Sequence, residues 1–215
     1  MLALHHVLGG RYRVGPLIGR GGMADVHRGD DLVTGDVVAL KLLRAVPSLD
    51  RWSAREVAAL SRLDHPAVVR LRASDLHNDP PYVVLDLVEG EPLSEIIRRA
   101  VPPEEWTVRT ITAVADGLSH AHACGVVHRD VKPSNILVDR DGAPHLADFG
   151  VARLVDATAT TGAGFIIGTA AYLAPEQVRG ERIGPPADVY ALGLVLLECL
   201  TGRRAFPGTF NEAAA

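Results

Sequence analysis

Three side chains suited to catalysis lie close together between residues 126 and 138, where the chain reads VVHRDVKPSNILV. Asp130 can accept a proton, Lys132 can neutralise an anion, and the amide oxygen of Asn135 can bind a hard cation. Apolar pairs flank these groups, and charge held between apolar neighbours fits a site where charge takes part in a reaction. The alternative is a polar turn between two core elements, which this stretch alone does not exclude.

Two more charged residues stand in apolar surroundings. Lys41 lies in the middle of VVALKLL. It is either a solvent-facing edge position or a cation held for an anion by an ion pair with Glu56 of the next segment. Asp148 precedes Phe149 and Gly150, where it is either part of a strand-ending turn or a ligand for a hard cation such as Mg²⁺. Both residues are candidates for contact with a charged ligand.

A glycine-rich stretch, LIGRGGMADV, covers residues 17–26. Without side chains, Gly19, Gly21 and Gly22 allow backbone N–H groups to approach phosphate oxygens that a Cβ would obstruct. A plain hairpin with a glycine-rich turn explains the stretch equally well. Strands are predicted on both sides and no Gly-Lys-Ser/Thr follows, so neither a dinucleotide fold nor a Walker loop fits.

The composition is that of an ordinary globular chain. Of 215 residues, 47% are hydrophobic and 22% charged, and a formal net charge of -4 argues against a nucleic-acid partner. The only cysteines, Cys124 and Cys199, indicate a reducing, cytoplasmic compartment rather than a disulfide framework. The longest apolar run, ALGLVLLECL, contains Glu198 and is too short for a membrane span. We therefore expect no transmembrane segment.

The elements that would position these residues change in type along the chain. Short β-branched segments divided by turns predict an antiparallel sheet, and VAALSRL predicts a helix with Val57, Leu60 and Leu63 on one face. The predicted helix covers 50–63 with Asp50 as its N-cap, and the predicted strands are 11–19, 25–31, 36–43, 67–76 and 81–88.

The rest of the chain is predicted to be mainly helical. A helix over 107–123 would bury Val108, Ile111, Ala115 and Leu118 and stop at Gly125. A hairpin over 136–150 would turn at Asp141-Gly142, and a second apolar helix would cover 187–201. The polar stretch 155–164 is longer than ordinary connections, as is typical of functional loops.

The motifs along the chain indicate one protein family only when they are taken together. In chain order they are the glycine-rich hairpin, Lys41, Glu56, His128-Arg129-Asp130, Asn135, Asp148-Phe149-Gly150, Ala174-Pro175-Glu176 and Asp188. The set resembles the protein kinase family. The sequence around these residues is most similar to bacterial Ser/Thr kinases of the eukaryotic type. The resemblance runs from Arg11 to Pro207. It implies an α+β, two-lobed fold with an N-terminal tail (1–10), a small lobe (11–87) and part of a large lobe (88–215).

The resemblance implies ATP as the phosphate donor. Lys41, paired with Glu56, would contact the α- and β-phosphates, and Leu85 would be the gatekeeper beside a hinge over 86–88, represented by Asp86 and Val88. Val26, Ala39 and Leu137 would pack on adenine. The loop over the phosphates would be Ile18, Gly19, Arg20, Gly21, Gly22, Met23, Ala24, Asp25 and Val26, with Ala24 in place of the family's third glycine.

The resemblance also implies the roles of the opening residues. Asp130 would act as the base, Lys132 would meet the γ-phosphate, and Asn135 with Asp148 would hold two Mg²⁺ ions, with Mn²⁺ as an alternative. The pair Lys132-Pro133 is the Ser/Thr-type version of the loop, and Thr169 would support that specificity. Protein Ser/Thr hydroxyls are therefore the implied acceptors.

Regulation follows from the same resemblance. Arg129 would receive a phosphate placed by autophosphorylation on Thr158, Thr160 or Thr161, and the alternative is that these threonines simply face solvent. Dimerisation is common in similar kinases, so a homodimer is possible. Such kinases continue for several helices beyond the length of this chain. We therefore expect Glu176 to lack its usual arginine partner and residues 187–201 to lack their usual cover, and the second hypothesis is a fragment that binds nucleotide or partners without turnover.

Overall fold

The computed structural model describes residues 6–22, 24–44, 54–149 and 170–206, of which 54–56 and 170 are described by their backbone alone. The chain divides into two compact units. The first comprises Met1–Asp64 and Val69–Val88, and the second comprises His65–Val68 and Glu89–Ala215. Each unit contains a sheet of its own.

The first unit is built on an antiparallel sheet with the strand order β1-β2-β3-β4-β6-β5. One helix, α1 (Ala54–Leu60), follows β4 in the chain. The five predicted strands are confirmed, and Val7–Leu8, expected to belong to a tail, form an additional strand on β2. The strands are β1 (Val7–Leu8), β2 (Tyr12–Arg20), β3 (Ala24–Asp31), β4 (Val37–Leu43), β5 (Leu71–Asp75) and β6 (Tyr82–Asp86).

The core of this sheet lies on one face of β4. Because successive side chains of a strand alternate between faces, Val38, Leu40 and Leu42 share one face, while Ala39 and Lys41 share the other. The first three are buried with Leu8 and Tyr82 in a continuous apolar cluster. Lys41 is therefore on the opposite side of β4 from this cluster, and it is only 5% exposed.

Among the described residues, the second unit contains four α-helices, two 3₁₀ turns and a small sheet of order β7-β8-β9. Prolines begin α4 and α5, where a missing N–H costs no hydrogen bond, and Gly202 ends α5 with a φ of 68°. The elements are β7 (Gly90–Pro92), α2 (Leu93–Arg99), α3 (Glu104–Ala123), the 3₁₀ turn Pro133–Asn135, β8 (Ile136–Asp139), β9 (Pro144–Leu146), the 3₁₀ turn Ala170–Tyr172, α4 (Pro175–Val178) and α5 (Pro185–Thr201).

The prediction of which face of α3 is buried was wrong in part. Val108 is 51% exposed and Ala115 is also exposed, whereas the buried residues are Thr107, Thr110, Val114, Gly117, Leu118 and Ala121. Small residues are buried here because α3 packs closely: a Cβ on Gly117 would lie 3.2 Å from the Ala67 carbonyl oxygen. The helix stops as predicted, with Gly125 at a φ of 76°.

The predicted hairpin over 136–150 is confirmed as β8 and β9. Gly142 has a φ of 82°, which a side chain rarely tolerates. Asp139 fixes the turn because its Oδ1 accepts the N–H groups of Asp141 at 2.9 Å and Ala143 at 2.8 Å. Helix α2, by contrast, was not predicted. Among the described residues no helix is both long and apolar enough to cross a membrane.

A buried carboxylate lies at the end of β3 in the first unit's sheet. Asp31, the last residue of β3, accepts the Nε and Nη2 groups of Arg11 at 2.8 and 2.7 Å, and the Val33 N–H at 3.0 Å. These hydrogen bonds, chiefly those from Arg11, hold the pKa of Asp31 well below its ordinary value. The ionised form of Asp31 therefore stabilises the folded chain.

We predict that the destabilisation caused by Asp31→Asn depends on pH. At neutral pH the folded and unfolded chains both carry the ionised carboxylate, so the substitution removes the whole of its stabilisation. As the pH falls below about 4, the unfolded chain takes up a proton while folded Asp31 remains ionised, so the wild type loses the advantage and the difference shrinks. Urea unfolding of both proteins at neutral and acidic pH measures this.

Asp30→Asn is the matched control, since Asp30 precedes Asp31 and makes a longer ion pair with Arg13, at 3.6 Å. Its cost should be small at every pH. An Asp31→Asn cost that is equal at neutral and acidic pH would contradict the prediction.

Candidate active site

The glycine-rich stretch forms the turn between β2 and β3. Gly19 pairs with Val26 in the ladder, and the Gly21 N–H donates to the Ala24 carbonyl at 2.9 Å. Arg44, just after β4, donates to the Gly22 carbonyl at 3.2 Å and to Asp25 at 2.9 Å. The turn is thus attached to the sheet by its backbone and by one arginine. Met23 lies outside the described residues.

The folded chain itself does not require glycine at this turn. None of Gly19, Gly21 and Gly22 has a positive φ, and a Cβ on any of them would come no closer than 3.4 Å to another described atom. At Gly29 and Gly90, by contrast, a Cβ would clash with Leu40 and with the Val138 carbonyl. Glycines that neither backbone conformation nor packing explains fit a surface that a ligand approaches closely.

The other predicted nucleotide contacts in the first unit follow the strand pairing. Val26 is the ladder partner of Lys41, and Leu85 is the ladder partner of Ala39. Asp86 ends β6 with its N–H bonded to the Arg70 carbonyl at 3.0 Å.

The Asp86 carboxylate is also ion-paired with Arg72. The carboxylate is thus engaged within the protein, and its amide is also occupied. Val88 follows and is partly buried.

The backbone of Glu56 lies in α1, but its side chain, and with it the predicted pair with Lys41, lies outside the described residues.

In the second unit the three opening residues are in direct contact. Lys132 Nζ donates to Asp130 Oδ2 at 2.7 Å. Asn135 Nδ2 donates to the same oxygen at 3.0 Å and to the Asp130 carbonyl at 2.8 Å. Both donors use a single carboxylate oxygen, so the interactions orient the carboxylate without enclosing it. The structure therefore brings the three predicted side chains together at one carboxylate.

Asn135 also connects this loop to the predicted metal ligand Asp148. Its carbonyl accepts the Ala147 N–H at 2.8 Å, directly before Asp148, which has a φ of 66°. Because both amide protons of Asn135 are donated to Asp130, its side-chain oxygen remains as an acceptor. An amide oxygen and a carboxylate are ligands that Mg²⁺ prefers. No group of three or more His, Cys, Asp or Glu that would suit a metal ion occurs among the described residues.

Buried apolar residues hold the loop at both ends. Val131, Ile136 and Val126 are 1%, 0% and 8% exposed. Leu137, predicted to pack on adenine, is partly buried in β8. The charged residues of the loop thus lie between buried apolar residues, as expected from the apolar pairs that flank them in the sequence.

The backbone of the loop is held by Asp188, in the first turn of α5. This carboxylate is only 1% exposed. Its Oδ2 accepts the His128 N–H at 2.8 Å and His122 Nε2 at 2.8 Å, and its Oδ1 accepts the Arg129 N–H at 2.7 Å. Arg129 has a φ of 70°, a conformation that costs a non-glycine residue about 1 kcal/mol or more. Asp188 therefore stabilises a strained backbone next to Asp130.

His128 is completely buried and is held in its neutral form. Its Nδ1 accepts the Asp130 N–H at 3.2 Å, so its Nε2 carries the proton and donates to the Ala147 carbonyl at 2.8 Å. Burial is the main cause that lowers the pKa of His128. The Phe149 ring packs edge-on against it, with the centroids 4.5 Å apart. His128 thus links the loop of residues 126–138 to the segment that carries Asp148.

Two contributions were missed by sequence reasoning. His122, one of nine histidines, carried no signal that it would bind Asp188. Tyr172 donates a hydrogen bond to Glu198, which lies in the apolar run of α5 and also pairs with Arg204 at 3.6 Å. Burial chiefly raises the pKa of the Tyr172 phenol, so it remains protonated. Within the described residues, the partly exposed Glu176 side chain makes no ion pair.

The predicted regulatory threonines, Thr158, Thr160, Thr161 and Thr169, lie outside the described residues. Arg129, the proposed receiver of a phosphate, is described, and its side chain is partly exposed.

Comparison with known proteins shows the family of the chain. The protein kinase domain family matches residues 12–214. A probable serine/threonine-protein kinase of Streptomyces coelicolor is 40% identical over 97% of this chain and 32% of its own length. The serine/threonine-protein kinase PknL of Mycobacterium bovis is 42% identical over 94% of this chain and 52% of its own length. The crystal structure of the Mycobacterium tuberculosis PknI kinase domain matches with a TM-score of 0.79 at 28% identity, over 95% of this chain and 79% of that one.

The antiparallel sheet with helix α1, followed by the mainly helical second unit and its charged loop, is the protein kinase fold. The chain belongs to the protein kinase domain family. It spans from about a third to about half of the length of these curated relatives. Members of this family use ATP and a divalent metal ion.

We predict that Asp188→Asn destabilises the chain by about 3 kcal/mol, because the amide that replaces one oxygen would place N–H groups against buried N–H donors. Urea unfolding measures the change in the free energy of unfolding. Asp116→Asn is the control, since Asp116 also contacts a histidine, His65, at 3.1 Å but its side chain is 75% exposed. The control should cost less than about 1 kcal/mol, and equal costs for the two substitutions would contradict the role given to Asp188.

Proposed function

We propose that this chain transfers the γ-phosphate of ATP to Ser and Thr hydroxyls of proteins. The observation that carries the proposal is the contact of Asp130 with Lys132 and Asn135. Phosphoryl transfer depends mainly on positioning and on stabilising spread negative charge. The loop supplies a proton acceptor in Asp130, a cation in Lys132 and an amide oxygen in Asn135 for positioning and charge stabilisation.

Asp130 is proposed to accept or orient the proton of the substrate hydroxyl. Lys132 and Asn135 both donate to Oδ2, so the proposed acceptor is the other oxygen, Oδ1. Lys132 is also proposed to neutralise charge on the γ-phosphate. Its distance of 2.7 Å from Asp130 keeps the cation beside the point where the hydroxyl attacks.

Asn135 and Asp148 are proposed to bind two Mg²⁺ ions, with Mn²⁺ as the alternative, which when present would offset the charge of the phosphates. Lys41, with Glu56, is proposed to contact the α- and β-phosphates. The remaining nucleotide contacts are proposed as predicted: the loop from Ile18 to Val26, Ala39 and Leu137 on the adenine, and the segment from Asp86 to Val88. The glycines that packing does not require support the phosphate contact.

Specificity for Ser and Thr is proposed on two grounds. Two relatives that match nearly the whole chain are named serine/threonine-protein kinases. The pair Lys132-Pro133 and Thr169 are of the Ser/Thr type. The partners are then proteins with Ser or Thr hydroxyls, and a homodimer stays a prediction. A cytoplasmic location fits a reaction that consumes ATP and the two unpaired cysteines, Cys124 and Cys199.

We predict that Asp130→Asn lowers the rate of phosphate transfer by about a hundredfold or more, because an amide cannot accept the hydroxyl proton. The binding of ATP should be retained, since the substitution leaves the proposed phosphate and adenine contacts in place. Transfer of labelled phosphate to a generic protein substrate measures the rate, and nucleotide-dependent melting measures binding.

Asp116→Asn serves as the control for removal of a carboxylate in the same unit. Transfer that survives Asp130→Asn would refute the role of Asp130. A wild-type chain that melts at a higher temperature with MgATP but transfers no phosphate would instead support the fragment that binds nucleotide without turnover.

We also predict autophosphorylation at Thr158, Thr160 or Thr161, with Thr161 or Thr160 first. The partly exposed Arg129 is the proposed receiver, since an arginine forms charge-assisted hydrogen bonds with a phosphate. Mass spectrometry after incubation with MgATP detects the modification, and Asp130→Asn is the negative control. Absence of phosphothreonine at all three positions in the active wild type would contradict this prediction.

A further inference from the structure

The peptide group between Arg129 and Asp130 is held at both of its polar atoms. Its N–H, which belongs to Asp130, donates to His128 Nδ1 at 3.2 Å. Its carbonyl, which belongs to Arg129, accepts Gln177 Nε2 at 2.9 Å. Gln177 is 48 residues further along the chain, in the short helix α4. This peptide leads directly into the Cα of Asp130, so its orientation determines where the carboxylate points.

Gln177 is itself held in place. Its Oε1 accepts the Ala174 N–H at 2.9 Å, and Ala174 is completely buried. The Gln177 amide therefore uses its oxygen to accept a hydrogen bond from Ala174, just before α4, and its nitrogen to donate one to the Arg129 carbonyl in the loop. Gln is suited to this position because a neutral amide supplies both functions, whereas Glu supplies only acceptors and an apolar side chain supplies neither.

The conformation of Arg129 explains why such a contact matters. With a φ of 70°, Arg129 is in the left-handed region, which is unfavourable for a side chain and persists only where the surroundings impose it. Asp188 holds the N–H of Arg129 at 2.7 Å. That contact fixes the peptide before Arg129 and leaves the peptide after it to Gln177 and His128.

We propose that Gln177 is a positioning residue for phosphate transfer: it fixes the Arg129–Asp130 peptide and thereby aims the Asp130 carboxylate. The interaction also couples α4 to the catalytic loop, so that a displacement of α4 changes the orientation of Asp130. The kinetic part of this inference rests on the proposed function, whereas the structural part does not.

The test uses the full chain with Gln177→Glu and Gln177→Met. Gln177→Glu keeps the size of the side chain and the acceptor for Ala174 but replaces the donor to Arg129 by an oxygen. Gln177→Met has a similar length and removes both hydrogen bonds. Arg179→Ala is the matched control, because Arg179 directly follows the same helix and has a 68% exposed side chain that is 4.0 Å from Glu181.

Two readouts separate positioning from general stability. In both Gln177 variants we expect kcat to fall by about tenfold, as misplaced catalytic groups do, while KM for ATP stays within about twofold. We expect the Asp130 amide to exchange its hydrogen at least several-fold faster, since its peptide is released. Arg179→Ala should match the wild type in both respects.

Wild-type kcat and wild-type exchange of the Asp130 amide in Gln177→Glu would overturn the inference. A fall in kcat that Arg179→Ala shares would also overturn it, because the effect would then belong to α4 in general. If the wild type itself transfers no phosphate, the proposed function fails, and the exchange of the Asp130 amide alone decides the role of Gln177.

Discussion

The conformation of the proposed catalytic loop, residues 126–138, depends on the hydrogen bonds of the buried Asp188 carboxylate. Burial of an ionised group is costly unless hydrogen bonds compensate for the lost water. Asp188 receives three such bonds, from the backbone of His128, the backbone of Arg129 and the ring of His122. Its place in the first turn of α5 adds the favourable field of the helix N-terminus. The hydrogen bonds from the loop backbone compensate for the burial of the Asp188 charge. They also hold Arg129 in its left-handed conformation and so offset the strain of that conformation.

Asp130 shows what the same residue type does in other surroundings. Asp188 is enclosed by donors to both oxygens, whereas both donors to Asp130 use Oδ2 and its side chain is 38% exposed. A fully satisfied carboxylate holds structure, and a partly satisfied one remains able to accept a proton. His128 separates the two roles, because a neutral, buried imidazole accepts from Asp130 and donates to Ala147 without adding a charge. The proposed roles of the two aspartates therefore differ because their environments differ.

Local signals in the sequence were sufficient for the strands, the β8–β9 hairpin and the end of α3. The apolar run of β4, the Asp141-Gly142 turn and the stop at Gly125 act over a few residues, and all are confirmed. The buried face of α3 was predicted wrongly because hydrophobicity was taken as the sign of burial. Close packing instead selected small and polar residues such as Thr107, Thr110 and Gly117.

The distant hydrogen bonds that hold the proposed catalytic loop could not be predicted, for a different reason. The hydrogen bonds from the loop to Asp188 and Gln177 join residues 60, 59 and 48 positions apart. No periodicity or turn chemistry connects residues at such separations. The resemblance to kinases identified Asp188 as a landmark without giving its task, and Gln177 carried no signal.

This division between local and distant contacts has a physical cause. Asp130, Lys132 and Asn135 meet within one short loop, so their spacing is written in consecutive residues and can be read there. The orientation of these side chains cannot be read from consecutive residues, because a loop with a left-handed Arg129 would relax without hydrogen bonds from outside the loop. Helix α5 supplies Asp188, which accepts two N–H groups of the loop, and α4 is linked through Gln177 to the Arg129 carbonyl. Helix α3 supplies His122, which binds Asp188. The chemistry of the loop is therefore local in sequence, while its geometry is a property of the folded second unit as a whole.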